Sequence, residues 1–445
     1  MRATLETPLP KSLPTGRGTA IFCAGTSDAA DGLEILVDGT PHRPAAAGMA
    51  RGAFWATLPI PPQSQPGALE LEASADGAQA PLGRIPVVSP EPPPVYPGFQ
   101  GADTIAICMA TFDPDPELFR TQVESLREQT DERWFCIISD DRSSAGHFQQ
   151  LVEIVGDDPR FVVSRSDSRQ GFYRNFERAL TLLPADARLV ALCDQDDRWH
   201  RDKLATLRAA LGDAQLVYSD QRLVDARGHL LRDTLWKGRA NNQTSLASML
   251  IANTITGAAS LFRREVADLM LPFPEPPGLQ FHDHWLALVA LGTGAVAYVD
   301  RPLYDYVQHS GAVFGDVTRP GGGGRRRPRL TLEQWRAAYF HGYLSREVQA
   351  QALLARCGSR IAPAKRRALD RFIAAQRSPL AFAWLALRPL RALAGHTETL
   401  GSELELAAGI LWRQLAGLPG RRLDATIPHP IAFQQKRLRR WRARL

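Results

Sequence analysis

Two rhythms of apolar and polar positions divide the chain. Near the N-terminus "LEILVDG" (33–39) and "ALELEASADG" (68–77) alternate apolar and polar residues and run into Asp-Gly pairs. Alternation with period two marks half-buried strands, and Asp-Gly is a strong hairpin-turn signal. The pattern predicts a small β module, closed by the proline-rich "SPEPPPVYPG" (89–98). That stretch cannot pair as an interior strand and reads as a stiff linker.

From about Asp103 the rhythm changes. "TIAICMA" (104–110), "WFCIISD" (134–140), "FVVSRS" (161–166), "LVALCD" (189–194) and "LVYSD" (216–220) are short, apolar and rich in β-formers. Helix-patterned segments separate them, such as "PELFRTQVESLREQT" (116–130) and "GFYRNFERALTLL" (171–183). Strands alternating with helices predict an α/β domain with a mostly parallel sheet flanked by helices. Ligands of such sheets bind at the carboxyl ends of the strands, where this chain places Thr111, Asp140, Asp141, Asp194 and Asp196. The expected division is 1–98 for the β module and linker, 99–320 for the α/β domain and 321–445 for a helical C-terminal region.

Composition adds one asymmetry. The chain has 445 residues, 44% of them apolar and 22% charged, ordinary for a globular protein. Its net charge of +6 conceals a division, because residues 321–445 carry 24 Lys and Arg against 7 Asp and Glu. The remainder is mildly acidic. The third segment includes "RPGGGGRRRPR" (319–329), tryptophans 335, 384, 412 and 441, and the terminal "QQKRLRRWRARL". A basic, tryptophan-bearing tail is suited to an anionic membrane surface, and the apolar "PLAFAWLAL" (379–387) is too short to span a bilayer but long enough to lie in its surface. A helical subdomain with a solvated basic face is the plainer alternative. No run is long enough for a transmembrane helix, and the first residues lack a signal-peptide core. Five scattered cysteines without a CxxC read as reduced thiols, three of them in strands. These features predict a cytoplasmic protein, peripheral on the inner face of the cell membrane.

The candidate chemistry lies at the strand ends. In "LVALCDQDDRWH" (189–200) three aspartates fall within four positions, where like charges repel. Asp194 and Asp196, two apart, can point to one side and would suit Mg²⁺ or Mn²⁺, which prefer oxygen ligands. Asp197 should point elsewhere and cap the helix beginning near Arg201. Taken alone, all three could be turn and cap residues. In "IISDDRSS" (137–144) Asp140 or Asp141 could accept a pyrimidine N3–H, or close an Asx turn. Thr111 and Phe112 of "MATFD" (109–113) could cradle a base, or simply turn the chain before Pro114.

"MATFD", "SDD", "GFYRNFERAL" and "ALCDQDDRW", in this order and at these intervals, resemble the family 2 glycosyltransferases of the GT-A fold. The likeness is nearest to bacterial rhamnosyltransferase-type members and covers about residues 103–315. It implies a GT-A domain that inverts the anomeric centre of a nucleotide sugar held through Mn²⁺ or Mg²⁺. Thr111, Phe112, Asp140, Asp141, Arg174 and Asn175 would then line the nucleotide. Asp194 would approach ribose or metal, Asp196 would be the main metal ligand, and His309 of "YDYVQHSGAV" would reach the metal or diphosphate. In "LQFHDHWLALVAL" (279–291) Asp283 would be the catalytic base, with His282 and Trp285 against the acceptor, although an N-cap reading of Asp283 also fits. The implied donor is dTDP- or UDP-linked, with rhamnose favoured, and the acceptor a saccharide or lipid-linked saccharide of a bacterial surface polymer. The alternative is a non-catalytic carbohydrate- or nucleic-acid-binding protein of the same fold. With no nucleic-acid recognition motif in view, nucleic acid is not expected as a partner.

Overall fold

The computed structural model describes residues 1–29, 32–43, 52–236, 240–278, 280–309, 331–416 and 427. The glycine–arginine stretch at 319–329 and the basic terminus from Gln434 lie outside the described residues. The chain forms two compact units. One takes Met1–Glu91, Pro274–Gln280 and the described residues from 331 onward. The other takes Pro92–Phe273 and continues from Phe281 through His309. The N-terminal and C-terminal segments, read from the sequence as separate regions, thus share one unit.

In that unit two sheets face each other. Ala3–Leu5, Thr19–Ser27 and Ala53–Ile60 form one; Leu13–Pro14, Ala78–Val88, Gly67–Ala75, Glu34–Val37 and Thr40–His42 form the other. Alternate residues of both, among them Ile35, Phe54, Leu58, Leu71 and Ile85, close an apolar core between them. Both Asp-Gly signals are hairpin turns. Asp38 and Gly39 have φ of 46° and 75°, and Asp76 and Gly77 have 49° and 80°, the left-handed pair of a type I′ turn. Helix Ser345–Cys357 packs on Thr19–Ser27 and Ala53–Ile60. Beside it the indole Nε1–H of Trp55 donates to the Tyr339 hydroxyl at 3.1 Å. Phe340 and Trp412 complete an aromatic cluster around Tyr339. Helix Ser402–Ala416 approaches closely enough that a Cβ on Gly409 would lie 2.6 Å from the Tyr339 nitrogen, so glycine is required there.

The other unit is built on a nine-stranded mixed sheet. Its order runs Phe161–Arg165, Trp134–Asp140, Ile105–Thr111, Leu189–Cys193, Ser260–Arg263, Leu216–Asp225, Val296–Gln308 and Arg198–Trp199, with Leu230–Arg232 paired beside Leu216–Asp225. The first four strands are parallel. The chain builds outward from Ile105–Thr111 on one side, then returns to place Leu189–Cys193 on the other. This reversal is a topological switch point at the carboxyl ends of the two strands, the place where α/β sheets bind ligands. Register aligns those ends, pairing Thr111 with Asp140 and Met109 with Cys193.

Helix Pro116–Arg127 shows why the connections form as read. Asp115 caps it by accepting from the amides of Glu117 and Leu118 at 3.0 and 3.2 Å, proline opens the first turn, and Phe119, Val123 and Leu126 bury one face. The end of the proline-rich stretch packs within this second unit. Tyr96 donates to the Leu182 carbonyl at 3.0 Å and packs on Phe135. All five cysteines are buried and free, four on strands and Cys357 on a helix. Among the described residues no helix is long and apolar enough to cross a membrane.

Candidate active site

Three loops meet at the carboxyl edge of the parallel strands. The amide of Phe112 donates to Gln195 Oε1 at 2.8 Å, and Gln195 Nε2 returns a bond to the Phe112 carbonyl at 3.3 Å. One side-chain amide therefore ties the loop after Ile105–Thr111 to the loop after Leu189–Cys193. The guanidinium of Arg169 lies 3.8 Å from the centre of the Phe112 ring. Neither Gln195 nor Arg169 stood out in the sequence. A glutamine between aspartates and an arginine in a polar loop carry no pattern of their own.

Asp140 and Asp141 organise this edge from within. Asp140 is fully buried, accepting from the Thr111 hydroxyl at 3.3 Å and from the Ser143 amide at 3.0 Å, with Arg165 at 3.5 Å. Asp141 accepts from the backbone amides of Gln170 and Gly171 at 2.6 and 2.8 Å, so it fixes the approach to helix Phe172–Thr181. Asn175, read from the sequence as facing the nucleotide, is buried instead. It accepts from the Ser139 hydroxyl at 2.7 Å, and its amide donates to the carbonyls of Thr111 and Ser139. Arg174 pairs with Glu177 on its own helix and reaches the Phe273 carbonyl at 3.4 Å.

The acidic run divides by role. Asp194 and Asp196 are half-buried at the loop that follows Cys193. Burial, then the charges of Asp196 and Asp283, push the Asp194 carboxyl up to about 7 against the pull of Lys203. Asp196 faces His309 across 2.8 Å, and this bond raises the imidazole above its ordinary value. Asp197 does not cap a helix. The helix begins at Lys203, and Asp197 is buried, accepting from the Val307 amide at 3.2 Å through Oδ1 while Oδ2 finds no partner. Burial, then the charges of Asp194 and Asp196, hold this carboxyl well above the usual range.

Beneath the acids lies Lys203, entirely buried. Its ammonium sits 3.4 Å from the Trp199 ring centre and donates to the Ala258 carbonyl. Desolvation lowers it to about 7 against the attraction of Asp197 and Asp194. A lysine at the start of a helix reads as solvated, so nothing in the sequence marked it as the internal counter-charge.

Asp283 lies in the first turn of helix His282–Thr293, whose N-cap position is Phe281. It accepts from the His284 backbone and the Asn253 side chain, yet its Oδ1 is shielded from water without a donor, and burial pushes it up to about 7. Its influence on Asp194 places it with the acidic group. The residues beside it depart from the expected acceptor contacts. His282 is buried, stacked on Phe176 with centroids 3.7 Å apart, and held down to about 3 by desolvation. A Cβ on Gly257 would come within 2.7 Å of its Nε2, which shows how closely it is enclosed. Trp285 has no exposed surface and donates to the Met270 carbonyl at 2.9 Å. Both serve the core that anchors the helix. An apolar helix needs its large side chains for packing, and only the tertiary fold reveals which of them point inward.

The donor set decides whether a divalent ion fits. Among the described residues no three Asp, Glu, His or Cys groups converge closely enough to hold an ion by themselves. Mg²⁺ and Mn²⁺ at nucleotide sites do not require that, since they take one or two protein ligands and complete their shell with water and phosphate oxygens. Asp196 and His309 form such a pair, and the Asp196 charge that helps raise the neighbouring Asp194 carboxyl is one a cation would offset. The residues fit.

Residues 106–270 match the model of glycosyl transferase family 2. No curated protein matches the chain. Among solved structures, S. aureus TarS 1–349 in complex with UDP-GlcNAc is 14% identical, with 71% of this chain and 90% of that one covered, at a TM-score of 0.44. The mannosyltransferase PcManGT from Pyrobaculum calidifontis, in complex with GDP-Man and Mn²⁺, is 17% identical over 74% of this chain and 91% of that one, at 0.38. At such scores neither likeness carries an argument about this chain. The family match falls on the parallel strands and acidic loops described above, and marks residues 106–270 as a segment of the family 2 glycosyltransferase type, the sugar-transferring domain of a GT-A fold.

Proposed function

We propose that the protein is a metal-assisted, inverting transferase that moves a sugar from a nucleoside diphosphate to a hydroxyl of a saccharide acceptor. One observation supports this above the others. Asp283, beyond the segment matched by the family model, keeps a shielded oxygen without a donor and shares its electrostatic environment with Asp194. A carboxyl near 7 with an unmet acceptor oxygen is poised to take a proton at neutral pH.

In this reading the acceptor O–H bond breaks as its oxygen attacks the anomeric carbon. The proton goes to Asp283, and the carbon–oxygen bond to the diphosphate breaks on the opposite face. Asp196 and His309 would hold Mn²⁺ or Mg²⁺, whose positive charge favours diphosphate departure when bound. Thr111, Phe112 and Asp141 frame the nucleoside side, with Gln195 holding the two loops in register. Lys203 keeps the carboxylates from mutual repulsion before substrate arrives. The donor nucleotide is dTDP or UDP, with rhamnose favoured because the run Asp194–Trp199 is similar to that of rhamnosyltransferase-type members. The acceptor belongs to a bacterial surface polysaccharide or glycolipid, built at the inner face of the cell membrane.

Calorimetric titration with dTDP, UDP and GDP, each with and without Mn²⁺, tests the reading. Mn²⁺-dependent heat favouring dTDP is the expected result. A UDP preference redirects the sugar, and the absence of binding to all three removes the catalytic assignment.

A further inference from the structure

The membrane-face reading proposed above lacks a surface, and the C-terminal helices contain a candidate. Of thirteen exposed large apolar side chains among the described residues, seven fall between Leu380 and Leu411. Four of these follow a regular path. In helix Pro379–Leu387, Leu380, Trp384 and Leu387 recur at i, i+4 and i+7, the spacing of one helical face. The chain then tightens into a 3₁₀ helix over Arg388–Ala394, with three residues per turn, so Leu390 and Leu393 extend the same line from Leu387. Leu380 is 84% exposed, Leu393 89%, and Leu387 and Leu390 59% each. The opposite face is the buried one, carrying Ala381, Leu385 and Arg388 toward the neighbouring helices.

The stripe lies in basic surroundings. Between Asp370 and Glu398 there is no Asp or Glu, while Arg371, Arg377, Arg388 and Arg391 all fall in this stretch. Arg371 and Arg377 are exposed, whereas Arg388 is buried beside Trp384, 5.1 Å from its ring centre and 3.6 Å from Glu403, and Arg391 pairs with Glu398 at 3.1 Å. Apolar side chains turned outward from an acid-free segment that also exposes Arg371 and Arg377 match a bilayer interface, where hydrocarbon takes the leucines and anionic headgroups take those two guanidinium groups.

We propose that Leu380, Trp384, Leu387, Leu390 and Leu393 form an interfacial docking stripe that seats the enzyme on an anionic lipid surface. This rests on the membrane-face reading and assigns it to particular residues. Binding draws on both apolar insertion and headgroup attraction, so it is weakened by salt and by loss of anionic lipid.

The test is cosedimentation of the full chain with vesicles of phosphatidylcholine alone or with about 30% phosphatidylglycerol added to supply surface charge. The protein is expected to pellet with the anionic vesicles, and the exposed double variant Leu387→Glu, Leu393→Glu to lose about tenfold or more in partitioning. Calorimetric nucleotide binding by the variant, unchanged from the parent, shows that its fold is intact. Equal vesicle binding by parent and variant overturns the stripe and leaves the membrane reading standing. Failure of the parent to bind anionic vesicles overturns both. A concentration-dependent dimer in sedimentation velocity that the variant abolishes gives the stripe to a second copy of this chain and overturns the lipid assignment.

Discussion

Each unit holds a buried carboxyl pushed up to about 7, and the two are engaged differently. Glu347, in the unit that joins the β sandwich to the C-terminal helices, accepts from Gln376 at 2.8 Å, Gln351 at 3.3 Å and Thr57 at 3.4 Å. Gln376 in turn accepts from Tyr339, which accepts from Trp55. Every member of that network has a protein partner, and it ties strand Ala53–Ile60 to the helices. Asp283 has the same elevated affinity for a proton but leaves Oδ1 shielded and without a donor. A perturbed carboxyl alone therefore does not mark chemistry in this protein. The role proposed for Asp283 rests on the missing partner as well, because a buried acceptor without a donor is costly unless something else uses it.

The sharpest way to break this comparison is to neutralise each carboxyl in turn. Asp283→Asn is expected to lower transfer by about 10²–10⁴-fold, the range for a lost general base, while nucleotide binding stays within about threefold. A parallel loss of binding and turnover would remove the division of roles. Asp196→Ala should abolish the Mn²⁺-dependent part of nucleotide binding in calorimetry and leave any Mn²⁺-independent part in place.

Glu347→Gln addresses the other side, and its readout is stability. The folded-state value of about 7 lies above the ordinary 4.5, so the folded protein holds a proton between these limits that the unfolded chain releases. The resulting stabilisation is fully present below about pH 4.5 and is lost as pH rises through about 7, a total of about 3 kcal/mol. Denaturant midpoints of the parent should therefore fall across that window, and those of Glu347→Gln should fall less. For Asp283 the same sign has a kinetic consequence: the protonated carboxyl cannot accept a proton. The rate should rise with pH on a limb near 7, and Asp283→Asn should lack that limb. The smallest effect is expected at Trp285. Trp285→Phe removes the bond to the Met270 carbonyl and should cost about 1–2 kcal/mol of stability while leaving the Michaelis constant for acceptor unchanged, which a steady-state comparison would show.

Much of the second unit was legible because its signals are local. Thr111, Asp140 and Asp194 fall at the ends of short apolar runs, and the alternation of such runs with helical periods specifies a parallel sheet whose carboxyl edge gathers them. Asp-Gly turns were legible for the same reason, since two consecutive positive φ values are demanded by the hairpin itself. His282, Trp285 and Asn175 were misleading because a polar or aromatic side chain beside a motif looks the same whether it faces a ligand or a neighbouring helix. Lys203 was invisible, as its cost of burial is offset by Trp199, Asp194 and Asp197 nearby in the chain and by the Ala258 carbonyl 55 positions away, and no sequence pattern shows that they converge on one ammonium.

The sequence by itself determined the period of each segment, the turns between them and the order in which acidic residues reach the edge of the sheet, all properties of neighbours along the chain. Only the tertiary structure decided that the first and last segments share one unit, that Gln195 links two loops, that His309 meets Asp196, and which of two buried carboxyls lacks a partner. The Gln195 and His309 contacts join residues more than eighty positions apart, and no local pattern encodes how such contacts are satisfied.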